Sequence, residues 1–123
     1  MLDEMLDELL IYGYKEWLMA SAVASVARFT GGADTPQAIR ELSKVIIREF
    51  VVRGLMRIGD VTRTGFVPWE GTLDEMIERI DRTWRTLPRE PTLGDVCWLD
   101  ATEKGEARAQ ELVDQLDEPT EIH

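Results

Sequence analysis

Residues 35–60, TPQAIRELSKVIIREFVVRGLMRIGD, decide the fold. They read as one long helix with a start, an apolar face and a stop, feeding a strand. Thr35 can cap the helix, and Pro36 then takes the first helical position, where its missing N–H costs nothing. Ile39, Leu42, Ile46 and Phe50 recur at steps of three and four, the spacing of one helical face. Val45, Val51 and Val52 widen that face and predict a helix covered on more than one side. Gly54, after Arg53, can adopt the left-handed conformation that ends a helix. Leu55 is then placed to pack back on Phe50, and residues 55–58 continue as a strand.

Working outward, Leu2, Met5, Leu6, Leu9 and Leu10 predict an amphipathic helix over 2–12, which Gly13 ends. Leu18, Ala22, Val26 and Phe29 predict a second helix over 16–29, with small residues that let a neighbour approach. Residues 30–34, Thr-Gly-Gly-Ala-Asp, form a turn. Beyond the long helix, 55–61 and 65–69 read as strands joined by Thr62-Arg63-Thr64 in a hairpin. Thr72 and Glu75 form a capping box. The helix they open turns Leu73, Met76, Ile77, Ile80, Trp84 and Leu87 inward, and Glu78, Arg79, Asp81, Arg82 and Arg85 outward. Pro88 and Pro91 end it. Residues 95–100 form a return strand, pairing 96–99 with 55–58. Thr102 caps a last helix with Ala109, Leu112, Val113 and Leu116 inward. The fold class expected is mainly α with a small antiparallel β-sheet (α+β), with five helices and about half the residues helical. One domain spans 1–118, with a flexible tail over 119–123.

The chain has 123 residues, 44% hydrophobic and 31% charged, a globular mix with room for a single core. No apolar run reaches the roughly 20 residues of a membrane span. The acidic start, MLDEMLDE, lacks the basic flank of a signal peptide, so a cytoplasmic protein with no membrane contact is expected. Single Cys97 excludes an internal disulfide, and its apolar neighbours predict a buried thiol. Net charge is −10. Residues 1–34 carry net −4, 35–99 net 0 and 100–123 net −6. Acidic ends flank a neutral middle, a balance that opposes non-specific nucleic-acid binding and attracts basic partners.

The order helix, Gly54-Leu55, strand, excursion, return strand, then Thr102-Glu103-Lys104-Gly105 opening a helix resembles a winged-helix fold. Leu99-Asp100-Ala101-Thr102-Glu103-Lys104-Gly105 is similar to the L-T-x-x-G closing element of MarR- and PadR-type winged helices, with two residues inserted between Leu99 and Thr102. The wing implied is long, residues 59–95, and contains a helix. Gly59-Asp60-Val61, Gly65-Phe66-Val67-Pro68-Trp69 and Gly94-Asp95-Val96-Cys97-Trp98-Leu99 also resemble a group of small acidic actinobacterial proteins of no assigned function. The winged-helix resemblance implies a DNA-binding surface: Arg40, Lys44 and Arg48 at steps of four on the long helix, with Arg57 and Arg63 on the wing.

The residues themselves favour a different use. Glu41 and Glu49 interleave the basic stripe and can pair with it. Trp69 follows Pro68 at a strand end, where it is the tryptophan best placed to be exposed and to anchor a partner. Asp3, Glu4, Asp7 and Glu8 form one acidic cluster, and Asp114, Asp117, Glu118 and Glu121 another. Either can meet a basic protein. The only histidine, His123, ends the sequence, so no histidine-based catalytic arrangement, metal site or cofactor site is expected. The function expected is a non-catalytic protein-binding module, in its sharpest form an immunity or antitoxin-type protein masking a basic partner. The alternative is a winged-helix transcriptional regulator, dimeric through its terminal helices.

Overall fold

The computed structural model of the chain describes residues 1–88, 91 and 95–117. Its elements are α1 (Leu2–Tyr12), β1 (Leu18–Met19), α2 (Ala20–Phe29), α3 (Pro36–Val52), β2 (Met56–Thr62), β3 (Gly65–Pro68), α4 (Leu73–Arg85), β4 (Trp98–Ala101) and α5 (Glu103–Asp117). About 59% of the described residues are helical and 15% lie in strands, the mainly-α class expected. The tail over 119–123 lies outside the described residues.

The long helix forms as its signals require. Thr35 Oγ1 accepts the Ala38 N–H at 3.0 Å, and Pro36 opens the first turn. At the far end Gly54 adopts φ +71°. The Leu55 N–H then reaches back to the Phe50 carbonyl at 2.8 Å, and the Gly54 N–H to that of Val51 at 3.0 Å. This paired closure satisfies carbonyls that a helix end leaves orphaned. Helix α3 packs on α1, α2, α4 and β2, and buries Ile39, Ser43, Ile46, Ile47 and Phe50. Val45 and Val52 do not widen the buried face: they are exposed, while Val51 is half-buried. Single apolar side chains at a surface are ordinary, and the covered sectors of α3 stop short of these two.

The start of α5 is fastened to the end of α3. Thr102 N–H donates to the Leu55 carbonyl at 3.0 Å. The Thr102 hydroxyl donates to the Gly54 carbonyl at 2.5 Å and accepts the Gly105 N–H at 3.1 Å. Lys104 Nζ donates to the Arg53 carbonyl at 2.9 Å. One hydroxyl therefore caps α5 and seals α3. Gly105 is required by the closeness of this contact: a Cβ there would stand 1.9 Å from the Leu55 carbonyl oxygen.

The strands form one antiparallel sheet in the order β1-β4-β2-β3. Met56 pairs with Ala101, Ile58 with Leu99 and Gly59 with Trp98, so 56–59 meet 98–101. The expected pairing of 55–58 with 96–99 is displaced. The Thr102–Leu55 bond fixes the register at one end. At the other, Val96 turns at φ +72° and the Cys97 N–H closes on the Asp95 carbonyl at 2.9 Å, so the strand starts at Trp98. The hairpin of β2 and β3 forms as expected, turning at Arg63 and Thr64.

The expected helix over 16–29 starts only at Ala20. Leu18 and Met19 are instead a short strand, paired with Leu99 and Trp98. Lys15 at φ +60° has already turned the chain out of helical geometry. Two more inward assignments fail: Phe29, the last residue of α2, is 78% exposed, and Leu116 in the last turn of α5 is 66% exposed.

Helix α4 carries the full capping box. The Glu75 N–H donates to Thr72 Oγ1 at 3.2 Å and the Thr72 N–H to Glu75 Oε1 at 2.8 Å. Ile77, Ile80 and Trp84 enter the core. Cys97 is buried, just ahead of β4. Burial first, then the nearby Asp60 charge, pushes its thiol up to about 12, against the opposing effect of Arg79. Because the thiolate is the reacting species, the folded protein should react with a thiol reagent far more slowly than the denatured chain. Equal rates at pH 8 would contradict the burial.

Candidate functional site

The basic stripe of α3 and the acidic residues of α4 face each other. Asp74 and Asp81 are seven residues apart, two helical turns, and so lie on the same side of α4. Arg48 Nη1 meets Asp74 Oδ1 at 2.8 Å. Lys44 Nζ meets Asp81 Oδ1 at 2.9 Å and Glu41 Oε2 at 2.7 Å. Arg40 Nε lies 3.4 Å from Asp81 and 3.7 Å from Glu41, charge contacts without hydrogen-bond alignment. Asp81 therefore does not face away from the fold: it joins α4 to α3, and its outer oxygen takes Arg85 Nε at 2.6 Å.

Electrostatics follow from this layout. Burial alone pulls the Lys44 ammonium down, but hydrogen bonds to Glu41 and Asp81 outweigh it and hold the group above its ordinary value. Burial alone pushes Asp81 up, and hydrogen bonds from Lys44 and Arg85 outweigh it and hold the carboxyl below its ordinary value. A carboxylate lowered in the folded state stabilises the fold above its ordinary pKa. That stabilisation is lost as pH falls through the lowered value. Urea unfolding should thus show stability declining below about pH 4. Asp81→Asn should remove part of that decline, and an unchanged slope would show that this pair does not couple to folding.

The other basic candidates lie apart from the stripe. Arg57 on β2 pairs with Asp100 on β4, and its guanidinium lies 5.2 Å from the Phe66 ring centroid. Arg63 is exposed at the hairpin turn. The structure thus gathers Arg40, Lys44 and Arg48, but gathers them against carboxylates.

Trp69 is half-buried rather than the exposed tryptophan. Its indole N–H donates to Asp60 Oδ2 at 2.9 Å, and the Arg79 guanidinium stacks 3.7 Å from its ring centroid. Arg79 and Asp60 are themselves 3.8 Å apart. Arg79 faces outward as expected and lies exposed over the indole. The exposed tryptophan is Trp17, 43% accessible.

The first acidic cluster is partly spent. Asp3 pairs with Arg53 at 2.8 Å and Asp7 with Arg108 at 3.2 Å. Glu8 accepts the Thr30 hydroxyl at 2.6 Å, and Glu4 is exposed on α1. In the second, Asp114 is exposed and accepts from Gln110 at 2.8 Å. Asp117 is the last residue of α5, and Glu118 and Glu121 lie outside the described residues.

A cleft of about 660 Å³ opens between loop 13–17 and β4, with Trp17, Trp98, Glu16, Asp100 and Glu106 in its walls. No sequence motif marks it, because three separate segments supply its walls. Among the described residues, no group of three or more His, Cys, Asp or Glu side chains is placed to hold a metal ion. No described helix is long and apolar enough to cross a membrane. Compared with protein-family models, curated proteins and solved structures, the chain matches none.

Proposed function

We propose that this protein is a non-catalytic binding module that masks a basic protein, in the manner of an immunity or antitoxin protein, on a winged-helix-like scaffold. The order of elements supports the scaffold. Strands β1, β4 and β2 lie side by side, α2 and α3 precede β2, and Thr102-x-x-Gly105 closes the fold against Leu55. Within that scheme β3 and α4 are the excursion between the two wing strands.

The single observation that carries the function is the placement of α4. In a winged helix, α3 is the element that enters the DNA groove, and its cations meet phosphates. Here those cations meet Asp74, Asp81 and Glu41. Turning them to a phosphate backbone first requires breaking these ion pairs, and α4, which supplies Asp74 and Asp81, is anchored in the core by Ile77, Ile80 and Trp84. The charge of −10 is then left to act on a partner of opposite sign.

Two titrations test this. Fluorescence anisotropy with duplex DNA from the protein's own locus, at about 150 mM salt, should show no binding in the range of about 10⁻⁸ M typical of specific readers. The product of the neighbouring gene, if basic, should bind stoichiometrically, with an association rate that falls as salt rises. Nanomolar DNA binding that weakens steeply with salt, and is lost in the Arg40, Lys44, Arg48 triple alanine variant, would overturn this reading and install the transcriptional regulator.

A further inference from the structure

We infer that the cleft between loop 13–17 and β4 receives a lysine or arginine side chain of the basic protein partner, an assignment that rests on the function proposed above. The cleft exists because β1 is short. Only Leu18 and Met19 pair with β4, at Leu99 and Trp98. Lys15 at φ +60° swings the preceding chain away. Asp100 and Ala101 therefore pair with β2 on one side and meet no residue of β1 on the other.

Strand alternation decides what the cleft presents. Leu99 is buried, so its strand neighbours Trp98 and Asp100 point to the opposite face, and Trp17, just ahead of β1, lines the same cleft. Two indoles thus stand beside the carboxylates of Glu16, Asp100 and Glu106. An indole face attracts a cation, and a carboxylate both attracts it and accepts its hydrogen bonds. An anion is repelled by the three carboxylates. A neutral apolar ligand would bury Glu16 and Glu106 without partners, a cost that disfavours it. The cleft, about 660 Å³, is several times larger than one long cationic side chain and admits it without repacking.

Two neighbouring contacts shape the site. Tyr14 donates its hydroxyl to Gln110 Oε1, tying the loop to α5. Lys15 also lines the cleft, with its ammonium 5.1 Å from the Tyr14 ring centroid, a resident cation that an incoming one must compete with. Arg57 already engages Asp100 from the β2 side, which leaves Glu16 and Glu106 as the freer carboxylates. The net charge of the lining remains negative, complementary to a basic partner and to no nucleic acid.

The test is a titration of the ¹⁵N-labelled full chain with an acetylated hexa-arginine peptide at low salt. Amide shifts should centre on Lys15, Trp17, Trp98, Asp100 and Glu106, with the Trp17 indole N–H among the largest. Trp17→Ala should weaken binding by about three- to tenfold, Trp17→Phe should restore most of it, and Glu106→Gln should weaken it as well. Lys15→Ala should tighten it. Trp17 is exposed, and an unchanged amide spectrum elsewhere would confirm that its variants stay folded. Shifts centred on Asp3, Glu4, Asp7 and Glu8, with affinity indifferent to Trp17→Ala, would overturn this site and leave the basic-partner function standing. No binding anywhere on the surface at millimolar peptide would overturn both.

Discussion

Gly105→Ala is expected to cost about 4 kcal/mol or more, a large share of the roughly 5–15 kcal/mol that holds a domain folded. Helix propensity alone argues the reverse, because alanine is better than glycine inside a helix by about 1 kcal/mol. The structure decides the sign. An alanine Cβ would stand 1.9 Å from the Leu55 oxygen, 2.9 Å from its carbonyl carbon and 3.3 Å from its Cα. All three are backbone atoms, so no side-chain rotation can relieve the overlap. Moving α5 away instead would break the Thr102 bonds to Gly54 and Leu55 and the Lys104 bond to Arg53. Thr102→Val provides the graded control, since it keeps the shape and removes only the hydroxyl, for a loss of about 1–2 kcal/mol. Urea unfolding of both variants measures this. A Gly105→Ala protein as stable as the parent would mean that α5 does not approach α3 this closely.

That contact also marks how far the sequence could be read. Helix α3 was legible from its start to its stop because those signals are local: Thr35, Pro36, the step of three and four, and Gly54; the exposure of Val45 and Val52, set by which neighbours cover the helix, was not. The capping box at Thr72 and the hairpin turn at Arg63 and Thr64 were legible for the same reason. Leu18 and Met19 were not, since they also satisfy the helical spacing of Ala22 and Val26. Their ladder to β4 spans about 80 residues, and long-range pairing overrode the local pattern. The register of β4 depended on Thr102 meeting Leu55, again a distant contact. Arg40, Lys44 and Arg48 were visible as a stripe, and Asp74 and Asp81 as carboxylates on a helix. Nothing in either segment showed that the two would be laid against each other. Trp17 was missed through the β1 error, because reading residues 16–19 as helix hid the face on which it stands.

Phe50→Ala is expected to cost about 3–5 kcal/mol, and Ile46→Ala about 2–5 kcal/mol, while Val45→Ala on the same helix should change stability by less than about 0.5 kcal/mol. Phe50 and Ile46 are 0% exposed, and Phe50 is the largest of the fully buried side chains. Truncating Phe50 opens a cavity in the core, because its ring is wholly enclosed. Val45 is 49% exposed, so its truncation removes little buried area. The three variants share one helix and differ little in helix propensity, so the contrast isolates burial from local structure. Thermal unfolding reads it directly: for a chain of this size, each 1 kcal/mol corresponds to roughly 3–5 °C in Tm. A loss below about 1 kcal/mol for Phe50→Ala, or equal losses for Ile46→Ala and Val45→Ala, would show that α3 is not the centre of the core.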